Sequence, residues 1–366
     1  MREGDAGAIH SGSREPHLES GVRVRADRLE RVPWRAVAAF VVIAVVLAWL
    51  VASPIWLMGG TASPELGLWI QLLGIPMMFT PAVATLVVVF TMKVPKGERL
   101  RFLGMWPLRP AKRMIWFTVA ALLVPPMIVA AGLFLSAALG FTTLDLVSFS
   151  GFAAMLDAQL AALDPALREQ AGELPPLGLL VALQLLSIPL GGLINALFAF
   201  GEEVGWRGWL LPALLPLGTW PALLISGVIW GVWHSPLILL GYNFGYTDWR
   251  GVALMTGGCV AWGVLFGWAR LRSGSVWPAV IGHGALNAAA GLGLLLVAVG
   301  TELPMWLVGP LGVVVWAVIA VIVIVLVLTG QLRVQPELAP ARARPQVAEQ
   351  AKPAPQSQPR PELREH

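Results

Sequence analysis

Eight long apolar runs, at roughly 36–57, 67–92, 113–139, 176–211, 220–241, 252–270, 276–299 and 305–329, alternate along the chain with short polar breaks. Several exceed the ~20 residues that carry a helix across a ~30 Å hydrocarbon core, and a helix satisfies its own backbone groups in lipid. The pattern predicts an all-α polytopic membrane protein, a bundle of about eight transmembrane helices. No internal repeat recurs at a fixed period, which weighs against a transporter built from duplicated halves. Between Thr143 and Gln170, Phe152, Met155, Leu160 and Leu163 alternate with acids as far as Pro175 and Pro176. That spacing predicts an amphipathic helix lying on the outer surface. The polar stretches 1–33 and 333–366 are expected to be disordered cytoplasmic tails around one domain, 34–332, with its motif-bearing core at 176–299. The first is too long and too polar before its apolar run for a secretory signal, so the first span is expected to be retained.

Composition and charge then orient the bundle. Of the 366 residues, 57% are hydrophobic and 13% charged, about half the ~25% charge of a soluble domain. Lys93, Lys96, Arg99, Arg101, Arg109, Lys112 and Arg113 crowd the second loop, and Arg270 and Arg272 lie in the sixth, whereas the first loop has no Lys or Arg. The third loop carries Asp145, Asp157, Asp164, Glu169 and Glu173 against Arg168 alone. The positive-inside rule places the basic loops, and with an even number of spans both termini, on the cytoplasmic side of the cell membrane. The basic second loop should favour anionic membrane lipid, and no basic patch interleaved with aromatic residues suggests nucleic acid. Seventeen Trp fit interfacial anchoring as well as packing. The one cysteine, Cys259, lies in an apolar run and reads as a small buried residue.

Against this apolar background the stretch 199–211 stands out, because it carries Glu202, Glu203 and Arg207 among glycines. A charge at the bilayer centre costs at least ~2.5–3.5 kcal/mol, so such groups face a protein interior or a cavity. Glu203 and Arg207 are four apart and can pair on one helix face. Glu202 lies about 100° round the helix without such a partner, which makes it the candidate chemical group. Only His234 and His283 fall in the hydrophobic body, and Asn287 shares a helix face with His283. At 1.5 Å per residue, the three groups lie about 15 Å (Glu202), 20 Å (His234) and 10 Å (His283) from the cytoplasmic ends of their spans. A shared layer then requires tilts and shifted helix ends. Gly201, Gly205, Gly208, Gly227 and Gly231 read either as close helix packing or as the gaps of a lateral cleft.

Three ordered motifs carry a resemblance. Glu202-Glu203 with Arg207 is similar to the EExxxR of the intramembrane endopeptidases that include the type II CAAX prenyl proteases and the Abi-type, bacteriocin-processing proteins. His234 matches the histidine of that family's second motif, with Trp230 where Phe is usual, and His283 with Asn287 matches its HxxxN. The resemblance implies catalytic roles for Glu202, His234, His283 and Asn287. Glu202 and His234 would activate water, His283 and Asn287 would hold the oxyanion, and Glu203 and Arg207 would support the helix. It leaves open whether the site is metal-free or uses one divalent metal, zinc first, on Glu202, His234 and His283. The function expected is that of an endopeptidase cutting a membrane-anchored protein or peptide near the cytoplasmic leaflet. A catalytically silent scaffold or immunity protein is the alternative, with a transporter behind it.

Overall fold

The computed structural model describes residues 29–166 and 174–332. The expected tails, apart from their residues nearest the bundle, and the far end of the expected surface helix lie outside the described residues. The principal helices are α1 (Trp34–Leu57), α2 (Leu66–Met78), α3 (Thr80–Phe90), α4 (Ala111–Ala138), α5 (Ser150–Ala161) and α6 (Leu177–Glu203), followed by α7 (Thr219–Trp233), α8 (Trp249–Ser273), α9 (Trp277–Ala289) and α10 (Val313–Leu328). Described strands are lacking; the one β-bridge joins Leu144 to Val297. The chain is an all-α, multi-pass membrane protein.

Seven helical stretches are long and apolar enough to span, and six of them begin and end within a few residues of the sequence expectation. Two differences bear on the site. The expected span 220–241 yields only Thr219–Trp233 and the short turn Ser235–Ile238. Pro236 has no N–H to give to the carbonyl of Val232, so the α-helical ladder stops just before it. His234 therefore falls at a helix end instead of mid-helix. The fourth span is longer than expected: α6 runs into a π-helical stretch, Val204–Leu210, then onward to Leu217. In that stretch the Leu211 N–H reaches back five residues to the Trp206 carbonyl. Pro212 cannot bond the Gly208 carbonyl in an α-helical register, and a widened turn just ahead relieves the conflict.

The core lies where α9 packs along α6 and α7 along α8. Glycine makes both contacts possible. A Cβ on Gly231 would strike the Thr256 backbone of α8, one on Gly284 would strike the Gly192 and Ala196 backbone of α6, and one on Gly201 would sit 2.9 Å from Phe79 Cα at the α2–α3 corner. Gly205 and Gly227 abut Pro81 and Val260 in the same way. These glycines are filled by neighbouring helices, so the packing reading holds and the cleft reading of them does not. Five tryptophans, Trp206, Trp209, Trp230, Trp233 and Trp262, are wholly buried; they build the interior and do not anchor an interface.

The basic end of the bundle is closed by a clamp. Arg270, buried at 2% exposure, donates from Nε to the Arg207 carbonyl at 3.1 Å and from Nη2 to that of Phe102 at 2.8 Å. Gly104 (φ +69°) packs against its guanidinium. Ser275 Oγ and Trp277 Nε1 then donate to the Gly104 and Met105 carbonyls. Arg270 is thus a buried structural cation and does not act as an exposed loop charge. At the other end, α5 covers part of the stretch expected to be amphipathic, and its Phe152 packs inward near Leu296 and Val297.

Candidate active site

The charged stretch at the end of α6 gathers around a residue of α7, Trp230. Its indole N–H donates to Glu202 Oε2 at 2.6 Å, and the N–H of Trp206 donates to the same oxygen at 3.4 Å. Glu202 thus has a local partner four residues on, a neutral donor that charge matching overlooks. Its carboxylate is 2% exposed and holds no ion pair among the described residues.

Glu203, fully buried, has the opposite environment. Its Oε1 accepts from Arg207 Nη1 at 2.7 Å and from His283 Nδ1 at 2.9 Å. The expected four-residue pair forms even though the turn between its members is π-helical. The Arg207 guanidinium also lies over the Trp230 ring, 4.1 Å from its centroid, and 5.5 Å from that of Phe266, an attraction that strengthens on desolvation.

The histidine tautomers follow from their partners. A carboxylate oxygen only accepts, so His283 carries a proton on Nδ1 and turns Nε2 elsewhere. His234 Nδ1 lies 2.9 Å from the Trp230 carbonyl and so donates to it, again leaving Nε2 open. The His283 ring meets the Trp230 ring edge-on at 5.4 Å and stacks on Phe266 at 5.9 Å. One indole thereby contacts Glu202, His234, His283 and Arg207. The fourth span's extension to Leu217 puts Glu202 about 22 Å from its end, level with the ~20 Å counted for His234.

A cavity of about 630 Å³ brings Glu202, His234, His283 and Asn287 together. Asn287 is half-buried, and its side chain makes no hydrogen bond among the described residues. Met77, Met78, Met255 and Met305 give the walls an adaptable apolar lining. Tyr242, Asn243 and Asn195 complete the polar rim, and Cys259 lies 3.9 Å from His234 Nδ1. Sequence reasoning missed the rim residues and the indole donors; the four-residue steps Glu202 to Trp206 and Trp230 to His234 were the available signal. The lining residues of α7, α8 and α9 lie in the halves nearest loops 239–248 and 297–304. The cavity therefore faces the end of the bundle opposite the basic clamp.

Nδ1 of each histidine and one oxygen of Glu202 are engaged within the protein, which leaves both Nε2 atoms and the second Glu202 oxygen facing the cavity. Among the described residues no three His, Cys, Asp or Glu side chains are grouped so that they could hold an ion. A metalloprotease assignment thus gains no support.

Residues 183–289 match the family model described as type II CAAX prenyl endopeptidase, Rce1-like. That segment contains every site residue named above from α6, α7 and α9. The protein named CAAX prenyl protease 2 of Methanococcus maripaludis is 28% identical over 131 residues, covering 28% of this chain and 48% of its own length. The chain thus matches about half the length of that curated relative.

Proposed function

We propose that this chain, with its Rce1-like segment at the centre of the bundle, is an intramembrane endopeptidase that hydrolyses a peptide bond of a membrane-anchored protein or peptide. The supporting observation is a buried, unpaired Glu202 carboxylate sharing one cavity with two histidines whose Nε2 atoms are open. Glu202 takes a proton from water as it attacks the scissile carbonyl, then returns it to the leaving amine. His234, fixed by the Trp230 carbonyl, accepts the water's second hydrogen at Nε2 and aligns it. The oxyanion is received by the Asn287 amide and by the Nε2–H of a doubly protonated His283. In that state the carboxylates of Glu202 and Glu203 balance Arg207 and His283, so the buried charge sums to zero. Glu203 holds His283 in place while Arg207 holds Glu203. Preorganised donors of this kind act strongly in a dry site, and no step passes through a metal.

The substrate is a peptide held at the membrane, in keeping with the relative's printed name; the cavity walls carry no feature that selects a prenyl group over another anchor. Ile75 of α2 and Phe198 of α6 line the cavity near lipid, with Ile75 44% exposed, and this seam is the route of entry. Cleavage near the cytoplasmic leaflet would require the 239–248 end to be cytoplasmic and the basic loop 91–113 to lie outside. The positive-inside rule favours the reverse. We therefore place both termini and the basic loops in the cytoplasm, with the cavity facing the outer leaflet.

Purified protein in nanodiscs, assayed on quenched fluorescent peptides with and without a lipid anchor, tests the activity. Cleavage that persists with chelator and vanishes in Glu202→Gln supports the reading; cleavage unaffected by Glu202→Gln overturns it. A membrane-impermeant thiol reagent on intact cells tests the orientation, with Asn243→Cys labelled and Lys96→Cys protected. The inverse pattern returns cleavage to the cytoplasmic leaflet.

A further inference from the structure

A second cavity, about 430 Å³ and almost wholly apolar, lies between α4, α8, α9 and α10 on the basic side of the bundle. Trp116 and Phe117 stand at its upper level, Leu265 and Phe266 line its depth, and Ile322 closes its lipid side. Trp116 comes about 7 Å after the start of α4 and Trp268 about 7 Å before the end of α8, so the two lie at one level, with the groove running inward from them. Lys112 and Arg113 are exposed on α4 one turn earlier, on the face that carries Trp116 and Phe117. Trp268 also lines the groove, and its buried indole N–H takes no acceptor among the described residues, an uncommon state for tryptophan. From the membrane surface inward, the order is two cations, an unsatisfied donor, then hydrocarbon walls.

We propose that this groove binds one acyl chain of an anionic phospholipid, with Lys112 and Arg113 holding the headgroup and Trp268 facing the ester level. A phospholipid supplies a negative headgroup, ester acceptors and a chain in the same order. The groove is joined to the chemistry by Phe266, which forms its wall and stacks on His283. Gly282, also in the wall, precedes His283 and approaches the Phe266 ring so closely that a Cβ there would lie 3.1 Å from it. A seated chain supports Phe266 from behind and steadies His283.

The test is native mass spectrometry of the full chain with phosphatidylglycerol or phosphatidylcholine of identical chains, which reads binding without reference to peptidase activity. The wild type should retain one phosphatidylglycerol in preference to phosphatidylcholine, by about fivefold per contributing cation. The double variant Lys112→Ser/Arg113→Ser should bring the two lipids to parity. Ala120→Trp, at the exposed edge of the groove, should remove retention of both, and neither variant disturbs a buried contact. Equal retention of both lipids by the wild type, or unchanged retention in Ala120→Trp, overturns the site. Displacement of the bound lipid by a lipidated peptide would assign the groove to the substrate's anchor and overturn the phospholipid.

Discussion

The cavity beneath Tyr242 holds Glu202, His234, His283 and Asn287, whereas the groove beside Trp116 is walled by carbon, and the Phe266–His283 stack joins their walls. Both are pockets in a protein that lipid surrounds, yet every intramembrane acid and histidine lines or abuts the first. The difference lies in what each wall must satisfy. In the cavity, indole N–H groups answer one oxygen of Glu202, a guanidinium answers one oxygen of Glu203, and a backbone carbonyl holds His234, so charge survives at depth. The groove offers the buried, unanswered N–H of Trp268, which suits a ligand carrying its own acceptor. The same division recurs on a smaller scale between two adjacent carboxylates. Glu203 is tied to Arg207 and His283, while Glu202 receives only neutral indole donors.

The most severe way to break that contrast is to neutralise each carboxylate in turn. Glu202→Gln keeps the shape and should lower the cleavage rate by about 10³-fold, within the range for loss of a general base, while the thermal midpoint of the solubilised protein stays close to wild type. Glu203→Gln strips Arg207 of its buried counter-charge and should cost about 3–5 kcal/mol of stability, seen as a large fall in that midpoint along with lost cleavage. If the two variants are equally stable, Glu203 is not the structural partner and the division of labour fails.

How far the sequence exposes this arrangement depends on the kind of interaction. Long apolar runs fix spans because hydrocarbon thickness is a single constraint, and the helix ends fall close to expectation wherever no proline interferes. Pro236 and Pro212 mark the two places where counting 3.6 residues per turn goes astray, the first by ending α7 at His234 and the second by widening the turn after Glu203. The Glu203–Arg207 pair is legible because opposite charges four apart declare themselves. Trp206 and Trp230 are not, since an indole in an apolar run looks like packing until its N–H is seen on Glu202. Arg270 misleads in the opposite direction: placed in a basic loop by its neighbours, it is buried against the carbonyls of Phe102 and Arg207.

Trp230→Phe sharpens the comparison at intermediate cost. Phenylalanine keeps a ring against Arg207 and His283 and leaves the backbone carbonyl that holds His234, so only the 2.6 Å donor to Glu202 is removed. A hydrogen bond to a charged group contributes about 1.5–3 kcal/mol, and the cleavage rate constant should fall by about tenfold or more with little change in KM. The midpoint should drop far less than in Glu203→Gln. An unaltered rate constant would mean that Glu202 is positioned by Trp206 alone.

The smallest effect lies outside both cavities, in the loop that docks beyond the end of α9. The Ser150 side chain, with the backbone N–H groups of Ser148, Ser150 and Val147 that Asp145 accepts from, holds its carboxyl well below the usual carboxylate range. A carboxyl depressed in the folded state adds stability above its unfolded value, near pH 4, and loses that contribution as pH falls below it. Amide exchange at 146–150, corrected for intrinsic rate, should therefore be slow at pH 6 and accelerate relative to the rest of the bundle only below about pH 4. Asp145→Asn should exchange faster already at pH 6 and show little further acid response. Because Asp145 N–H bonds to the Leu296 carbonyl and the Thr143 carbonyl accepts from Ala298, the loosening reaches the chain just after α9. Cleavage at pH 7 should nevertheless change less than twofold, since the fixing contacts of His283 run to Glu203 and Phe266 and not to this loop. A larger loss of cleavage would mean that the position of α9 is set from the acidic end of the bundle, and the separation between chemistry and scaffold would have to be redrawn there.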